Sequence, residues 1–358
     1  MSLAILAAIA PVGCSSGTGN LSYQDLIDNT WRHIDTQVEK GPALLRELVH
    51  YATLAANSHN TQPWRFKLDA DQITILPDFD RRCASVDPDD HHLFISLGCA
   101  TENLVLAAQA HGLHANVSLP GSSGDAIQIG LEPATPVDSP LFQVIPERQC
   151  TRAPYDGKSV PTNQLIALEA VTQDEGVSVQ IFTDNKQMKA ILDYVIAGNS
   201  AQMKDDAFVR ELKHWIRFNE STLVAHRDGL FSASSGNPTL PGWLGNLVMK
   251  FAFTEKREND KYREHIRSSA GIFAFISARN DKPNWIQVGR SYQRFALQAT
   301  AFGVRHAHIN QALEVPEVRA QFAQYLGVGE QRPDLLLRFG YGPLMPPSVR
   351  RPVDQVLI

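Results

Sequence analysis

Residues 94–113, FISLGCATENLVLAAQAHGL, recur without a gap as residues 285–304, WIQVGRSYQRFALQATAFGV. The two copies share small residues at helical spacing, which lets two helices approach closely, and each ends at a glycine suited to a helix C-cap. The matched pairs are Gly98 with Gly289, Ala108 with Ala299, Ala110 with Ala301, and Gly112 with Gly303. The repeat predicts a chain of two similar halves, each containing one long helix.

Strand and helix patterns surround both copies. Strands are predicted at 64–69, 72–77, 113–120 and 126–133, and again at 177–182, 271–277 and 334–342. Helices are predicted at 22–37, 42–56, 87–112, 162–173, 284–302 and 315–326, with two polar helices across 185–226. Asp87 is the expected N-cap of the helix over 87–112. The order predicts an α+β protein, with a leader and linker at 1–20, a first half at 21–138 and a second half at 139–358.

Composition narrows the classes of function. Of 358 residues 43% are hydrophobic, which is ample for a large core. Basic and acidic residues number 33 and 38, and no Lys/Arg run exceeds two residues, so a nucleic-acid partner is not expected. The four cysteines form no CxxC motif and are interpreted as buried thiols.

The N-terminal stretch LAILAAIAPVGCSSGTGN leaves two interpretations open. An apolar run before Gly13 and Cys14 is typical of a lipoprotein signal, which would attach Cys14 to lipid in the cell envelope or periplasm. The run has no preceding positive charge and it contains Pro11. The alternative is an ordinary terminus on a cytoplasmic protein.

Motifs for metals and dinucleotides are weak. His306 and His308 alternate as strand neighbours would, and His91 and His92 are adjacent, but no third ligand has suitable spacing. No metal site is therefore expected. GVGE and GYGP lack the strand–GxGxxG–helix context of a dinucleotide fingerprint.

Residues 226–245, HRDGLFSASSGNPTLPGWLG, show no periodicity. Loops of this length inside a compact domain are usually functional. Five large apolar side chains argue against disorder, and the segment is predicted to be a lid with Trp243 as its anchor.

Two kinds of segment carry the candidate site residues. The loop in AANSHNTQPWRF, residues 55–66, places six polar side chains before Pro63 and Trp64. Arginine pairs occur in two short segments with nearby prolines, and such pairs suit an anionic ligand because guanidinium groups hold phosphate bidentately. The pairs are Arg148 with Arg152, and Arg350 with Arg351.

These motifs together resemble the FMN-dependent nitroreductases. The segment LAANSHNTQPWRF resembles their Pro-Ser-x-x-Asn-x-Gln-Pro-Trp loop, ERQCTRAPY resembles their Arg-x-Ser-x-Arg segment, and LGCATENLVLAAQAHGL resembles their long helix. The single-chain duplication, DPDDHHLFISLGCA and the RRPVD ending resemble the Acg-like subgroup. The resemblance covers about residues 42 to 356. It implies a duplicated nitroreductase-like fold, with two antiparallel or mixed sheets flanked by helices forming a pseudo-dimer in one chain.

The resemblance also implies one flavin site per chain. The first half retains the polar loop but no Arg-x-Ser-x-Arg, whereas the second half retains the arginines but no Asn-x-Gln-Pro-Trp. Arg148, Arg350 and Arg351 are expected at the phosphate, and Arg152 near the N1–C2 edge of the ring. Cys150 stands where the family has a serine. The remaining expected cofactor-binding residues are Asn57, Ser58, Asn60, Gln62, Asn310 and Gln311.

The implied function is reduction of a nitroaromatic, quinone or related small acceptor, with FMN as cofactor and NADH or NADPH as reductant. No catalytic side chain is expected because the flavin carries the chemistry. Two alternatives stay open: a flavin-storage protein whose lid blocks the reductant, and an enzyme that fragments FMN. The chain is expected to act as a monomeric pseudo-dimer, with further oligomerisation left open.

Overall fold

The computed structural model describes residues 21–34, 41–121 and 124–358. Residues 1–20, which include Cys14 of the predicted lipoprotein signal, lie outside these residues. Within the described ranges, two four-stranded antiparallel sheets divide the strands between an earlier and a later part of the chain.

The first sheet has the strand order β1-β2-β4-β3. Its inner face is apolar because inward and outward side chains alternate, as Ile127, Ile129 and Leu131 of β4 show by their burial. The strands are β1 (Trp64–Leu68), β2 (Gln72–Pro77), β3 (Leu113–Ser118) and β4 (Ile127–Pro133).

The second sheet has the order β5-β8-β10-β9. Its two central strands are buried along their whole length, as expected for strands covered on both faces. The strand at 271–277 is almost entirely apolar, whereas the one at 332–340 also buries Arg332, Asp334 and Arg338. The strands are β5 (Val177–Phe182), β8 (Gly271–Ser277), β9 (Arg305–His308) and β10 (Arg332–Gly340), and a small parallel pair, β6 (Ile216–Arg217) and β7 (Leu230–Phe231), lies apart from them.

Helices cover both sheets. They are α1 (Tyr23–Thr30), α2 (Pro42–Thr53), α3 (His91–Ala110), α4 (Pro140–Gln143), α5 (Thr162–Ala170), α6 (Asn185–Gln202), α7 (Asp206–Trp215), α8 (Glu220–His226), α9 (Gly242–Ala252), α10 (Glu255–Arg267), α11 (Lys282–Ala301), α12 (Gln311–Glu314) and α13 (Pro316–Leu326). The prediction of a helix to residue 37 is wrong, since α1 ends at Thr30. Three helices rather than two lie between 185 and 226, and α9 and α10 were not predicted.

The repeated segment forms α3 and α11, which cross at their shared glycines. A Cβ on Gly98 would lie 2.1 Å from the carbonyl oxygen of Ile286, and one on Gly289 would lie 2.0 Å from that of Ile95. The two Cα atoms therefore face each other across a nearly symmetric contact that only glycine permits. Helix α3 is long and apolar enough to span a membrane, but 89% of that stretch is buried within the protein, which makes it a core helix.

One apolar core runs through both halves. It joins α2, β1 and α3 of the first half to β8, α11 and β10 of the second. The predicted α+β class with two sheets around a duplicated helix is confirmed.

The C-terminal arm, residues 341–358, crosses from the second half to the first. Phe66 of β1 donates its N–H to Val356 O at 2.7 Å, and it accepts from Ile358 N at 3.0 Å. Leu357 therefore pairs in parallel with the edge of the first sheet. The arm covers an edge that would otherwise present unpaired backbone groups.

Candidate functional site

A cavity of about 400 Å³ lies where the two halves meet. Its walls come from the loop after α2, from α3, from the segment between α8 and α9, and from α10, β9 and α12. The predicted residues that line it are Asn57, Ser58, Arg152, Asn310 and Gln311. Within the described lining, the other predicted residues are absent: Asn60, Gln62, Arg148, Cys150, Arg350 and Arg351.

The polar loop is held by its own side chains. His59, Asn60 and Gln62 have positive φ angles of 46°, 53° and 55°. The Asn57 side-chain oxygen accepts from Gln62 N at 2.8 Å, which closes the loop before Pro63 and Trp64. Such left-handed residues persist only where surrounding contacts fix them.

Asn60 and Gln62 connect this loop to neighbouring segments. The Asn60 amide donates to Gly229 O at 3.1 Å and to Val349 O at 3.2 Å. The Gln62 amide donates to Arg227 O at 2.8 Å, and its oxygen accepts from Arg351 N at 2.7 Å. In this structure the two amides therefore tie the loop to the segment over the cavity and to the C-terminal arm.

Two buried arginines meet at the end of α2. Arg148 Nη2 donates to Leu54 O at 3.1 Å, and Arg350 donates to Thr53 O at 2.8 Å and to Asn60 Oδ1 at 2.8 Å. Burial and the charge of Arg148 lower the pKa of Arg350 to about 9. Throughout the described chain no carboxylate pairs with either guanidinium, and Arg148 Nε has no partner. Two like charges buried together without an acid suit a bound anion.

A second group of cations lines the cavity itself: Arg152, Lys261 and Arg338. Arg338 stacks on the Tyr155 ring at 4.0 Å and donates to Ala153 O at 2.8 Å. Its Nη1 is buried and unpartnered among the described residues, and burial lowers its pKa. Sequence reasoning missed Lys261 and Arg338, because no motif marks them and α10 was not predicted.

Four imidazoles also line the cavity: His59, His92, His265 and His308. Burial lowers the pKa of His59 to about 4 and that of His265 to about 3, so both rings are neutral at pH 7. His308 Nε2 lies 3.0 Å from the Tyr292 hydroxyl, which lies 3.1 Å from His306 Nε2. Neutral imidazoles and a hydroxyl in contact can hold or pass a proton at the cavity wall.

The segment predicted to be a lid contributes Leu230, Ser232, Asn237 and Leu240 to the cavity lining. Its start is fixed by Asp228, which binds Arg81 and accepts from Arg217 Nε at 3.0 Å. The expectation that Trp243 anchors this segment is wrong, since its side chain is 72% exposed. Trp243 lies on the outer face of α9, and Gly245 and Val248 face the cavity instead.

The fold and cavity define an α+β protein of two unequal halves with a polar, cation-lined site between them. No family model matches the chain. It is 27% identical over 339 residues to "Putative NAD(P)H nitroreductase Rv3131" of Mycobacterium tuberculosis, covering 89% of this chain and 95% of that protein. It is 22% identical to "Putative NAD(P)H nitroreductase acg" of the same organism, covering 87% and 95%. The predicted resemblance to nitroreductases, Acg among them, is confirmed by these relatives.

Solved structures give a more distant likeness. A nitroreductase with bound FMN from Bacteroides fragilis shares 17% identity and a TM-score of 0.37, covering 60% of this chain and 96% of that one. The FMN-dependent nitroreductase NfnB from Mycobacterium smegmatis, in complex with NADPH, shares 11% identity and a TM-score of 0.37, covering 57% and 87%.

Proposed function

We propose that this protein is an FMN-binding oxidoreductase of the nitroreductase type. It takes hydride from NADH or NADPH and passes electrons to a nitroaromatic, quinone or related small acceptor. The observation that carries the proposal is the cavity between the halves, whose volume of about 400 Å³ is in the range of small-molecule sites. The names of the curated relatives support the reductant.

The donor groups fit a phosphorylated flavin. Arg148 Nε and Arg338 Nη1 are buried donors without partners in the described structure, and such donors are costly unless a ligand accepts from them. In the proposal Arg148, Arg350 and Arg351 hold the phosphate, with Cys150 on the same segment as Arg148. These residues lie outside the present lining of the cavity, so the phosphate would extend beyond that lining. Bound FMN would supply the electron chemistry.

Residues of the cavity wall orient the ring in this proposal. Asn57 and Ser58 offer amide and hydroxyl groups from a loop that is already fixed, which limits the entropy lost on binding. Arg152 provides a cation against charge that develops on reduction. Asn310 and Gln311 provide amide groups on the opposite, second-half wall.

The His308–Tyr292 pair is the proposed place where a proton is passed. Both residues line the cavity, and burial lowers the pKa of His308 well below its usual value. A neutral ring that accepts a proton on one nitrogen while it releases one from the other passes a proton without leaving a buried charge behind.

One observation favours the alternative of a storage protein. The segment over the cavity exchanges two hydrogen bonds with the polar loop, since Gly229 N donates to Asn60 O and the Asn60 amide donates to Gly229 O. A lid held in this way would exclude a reductant unless it opens.

The first test is the flavin content of the purified protein. We expect one released FMN per chain, with NADH or NADPH oxidised when a nitroaromatic or quinone is added. Two flavins per chain, or FAD, would contradict the single-site proposal. Flavin content without NAD(P)H oxidation would favour storage.

The phosphate site is tested by Arg148→Ala. Binding of FMN should weaken by about 1.5–3 kcal/mol, the range for hydrogen bonds to charged partners. Arg279→Ala is the control, because its side chain is 76% exposed. Fluorescence titration with FMN measures both variants, and unchanged affinity in Arg148→Ala would remove this residue from the site.

The lid is tested by replacing 230–241 with a short Gly/Ser linker. The storage alternative predicts faster flavin reduction by NAD(P)H, while reduction by dithionite stays unchanged. Equal rates and equal flavin fluorescence in both forms would show that the segment is only a surface loop.

A further inference from the structure

A second, smaller cavity of about 230 Å³ lies at the start of α3. Asp87, His91 and His92 lie in its wall, and all three are buried. One potential ligand atom from each of them lies within 4.8 Å of the others. Glu314 of α12 lines the same cavity, and both His92 and Glu314 also line the larger one.

The imidazole of His91 is supported as metal ligands commonly are, and that of His92 has an unpartnered ring nitrogen. His91 Nε2 lies 2.7 Å from the buried Asp334 carboxylate, which orients the ring and leaves Nδ1 for a ligand. A carboxylate behind a ligating histidine is a common support for a bound metal. His92 Nε2 has no hydrogen-bond partner in the described part of the chain, although its side chain is only 9% exposed.

The charge around this cavity is unbalanced. Four carboxylates surround it, three in its wall and Asp334 behind His91, against the guanidinium groups of Arg319 and Arg332. Arg332 pairs with Asp89 at 2.6 Å, and no carboxylate within the described ranges pairs with Arg319. With all four carboxylates ionised, an excess of two negative charges remains. For the buried Asp87 and Asp334 that charge is costly unless a cation is bound or the carboxyl group is protonated.

Helix capping explains only part of the cluster. The Asp87 carboxylate accepts from the N–H groups of His92 and Leu93, each at 3.0 Å, so it caps α3 even though the helix begins at His91. That role requires neither imidazole. The corresponding positions before and in α11 hold Ala278, Lys282 and Pro283, so the repeated helix is built without such a cluster.

We propose that Asp87, His91 and His92 bind a divalent transition-metal ion, with Glu314 completing the ligand set from the second half. Two imidazoles with carboxylates suit Zn²⁺ or Fe²⁺. The ion would connect α3 to α12 and so join the two halves beside the larger cavity. The site does not depend on flavin binding.

The test uses the full-length, tag-free protein, treated with chelator and then titrated with Zn²⁺ by calorimetry. We expect about one ion per chain and a rise in Tm on binding. Co²⁺ in place of Zn²⁺ should give a ligand-field absorption spectrum. His92→Gln should weaken Zn²⁺ binding by roughly tenfold or more and alter the Co²⁺ spectrum.

His92→Gln is the chosen variant because the unpartnered Nε2 costs no hydrogen bond when it is removed. His114→Gln, at an exposed position on β3, is the matched control and should bind as the wild type does. Absence of stoichiometric Zn²⁺ binding would overturn the proposal. So would wild-type affinity in a folded His92→Gln protein, since the ion would then be bound elsewhere.

Discussion

Helices α3 and α11 descend from the same repeated segment and cross through the same glycine, yet their polar positions differ. Glu102 of α3 accepts from Arg290 at 2.8 Å and pairs with Arg294 at 3.0 Å. The repeat aligns those two arginines with Cys99 and Asn103 of α3. The glycine contact keeps the symmetric packing of a duplicated unit. The charged positions have diverged, so that one helix supplies the acid and the other supplies the bases.

Gly98→Ala should disrupt the symmetric glycine contact between α3 and α11 and should have the largest effect on stability. The new Cβ would lie 2.1 Å from a backbone oxygen of α11, so the helices must separate. We expect a loss of about 3 kcal/mol or more in the free energy of unfolding, measured by urea denaturation. Gly242→Ala is the control, because in the described structure nothing lies within 4 Å of its added Cβ. Equal stability of the two variants would show that the crossing is not close.

Glu102→Gln should disrupt the ion pairs between α3 and α11, with a smaller effect on the free energy of unfolding. The change leaves the partly buried Arg290 without a carboxylate and Arg294 with Asp174 alone, and a hydrogen bond to a charged group contributes about 1.5–3 kcal/mol. We expect a loss of about 2 kcal/mol in the same urea experiment. Glu132→Gln, at an exposed position of β4, should unfold as the wild type does. A loss as small as that of the control would mean that water already screens the pair.

The strands that follow the two helices also differ, and this difference predicts a pH dependence of the free energy of unfolding. His306 of β9 aligns with Ala115 of β3, and burial together with Arg148 and Arg305 lowers the pKa of His306 to about 3. In the unfolded chain the His306 imidazole therefore binds a proton as the pH falls through about 6.5, whereas in the folded chain the same ring stays neutral until near pH 3. This contribution to stability is complete above pH 6.5 and is lost as the pH falls toward 3.

For one such histidine, the loss between pH 6.5 and 5.5 is about 1 kcal/mol. His306→Gln should flatten the pH dependence of the urea midpoint by that amount. His114→Gln should keep the full dependence, since that ring is exposed in both states. An unchanged slope in His306→Gln would place the acid sensitivity elsewhere.

Local patterns predicted the strands and the repeat because each depends on neighbouring residues. The strands at 177–182 and 271–277 have the predicted bounds. Helix α9 was missed because its first residues fall within the segment 226–245, which was interpreted as a lid without periodicity.

In the candidate site, too, some residues could be predicted from local sequence and others could not. Motif resemblance pointed to Asn57, Ser58 and Arg152, which do line the cavity. It could not point to Arg338, whose place in the wall depends on the pairing of β10 with its neighbours. The third residue of the His91–His92 cluster was also overlooked. Asp87 was identified as a helix cap, and its distance from both imidazoles is a property of the folded turn.

The C-terminal arm has a consequence for biosynthesis. The residues that pair with Phe66 follow the whole second sheet in the chain, so β1 stays uncovered while that sheet is made. We expect nascent chains that stop at residue 340 to associate through this open edge. Chains that extend to residue 358 should not, and sedimentation of ribosome-released products of both lengths would measure the difference. Residues 356–358 can therefore close the edge of the first sheet only after the second half has been made.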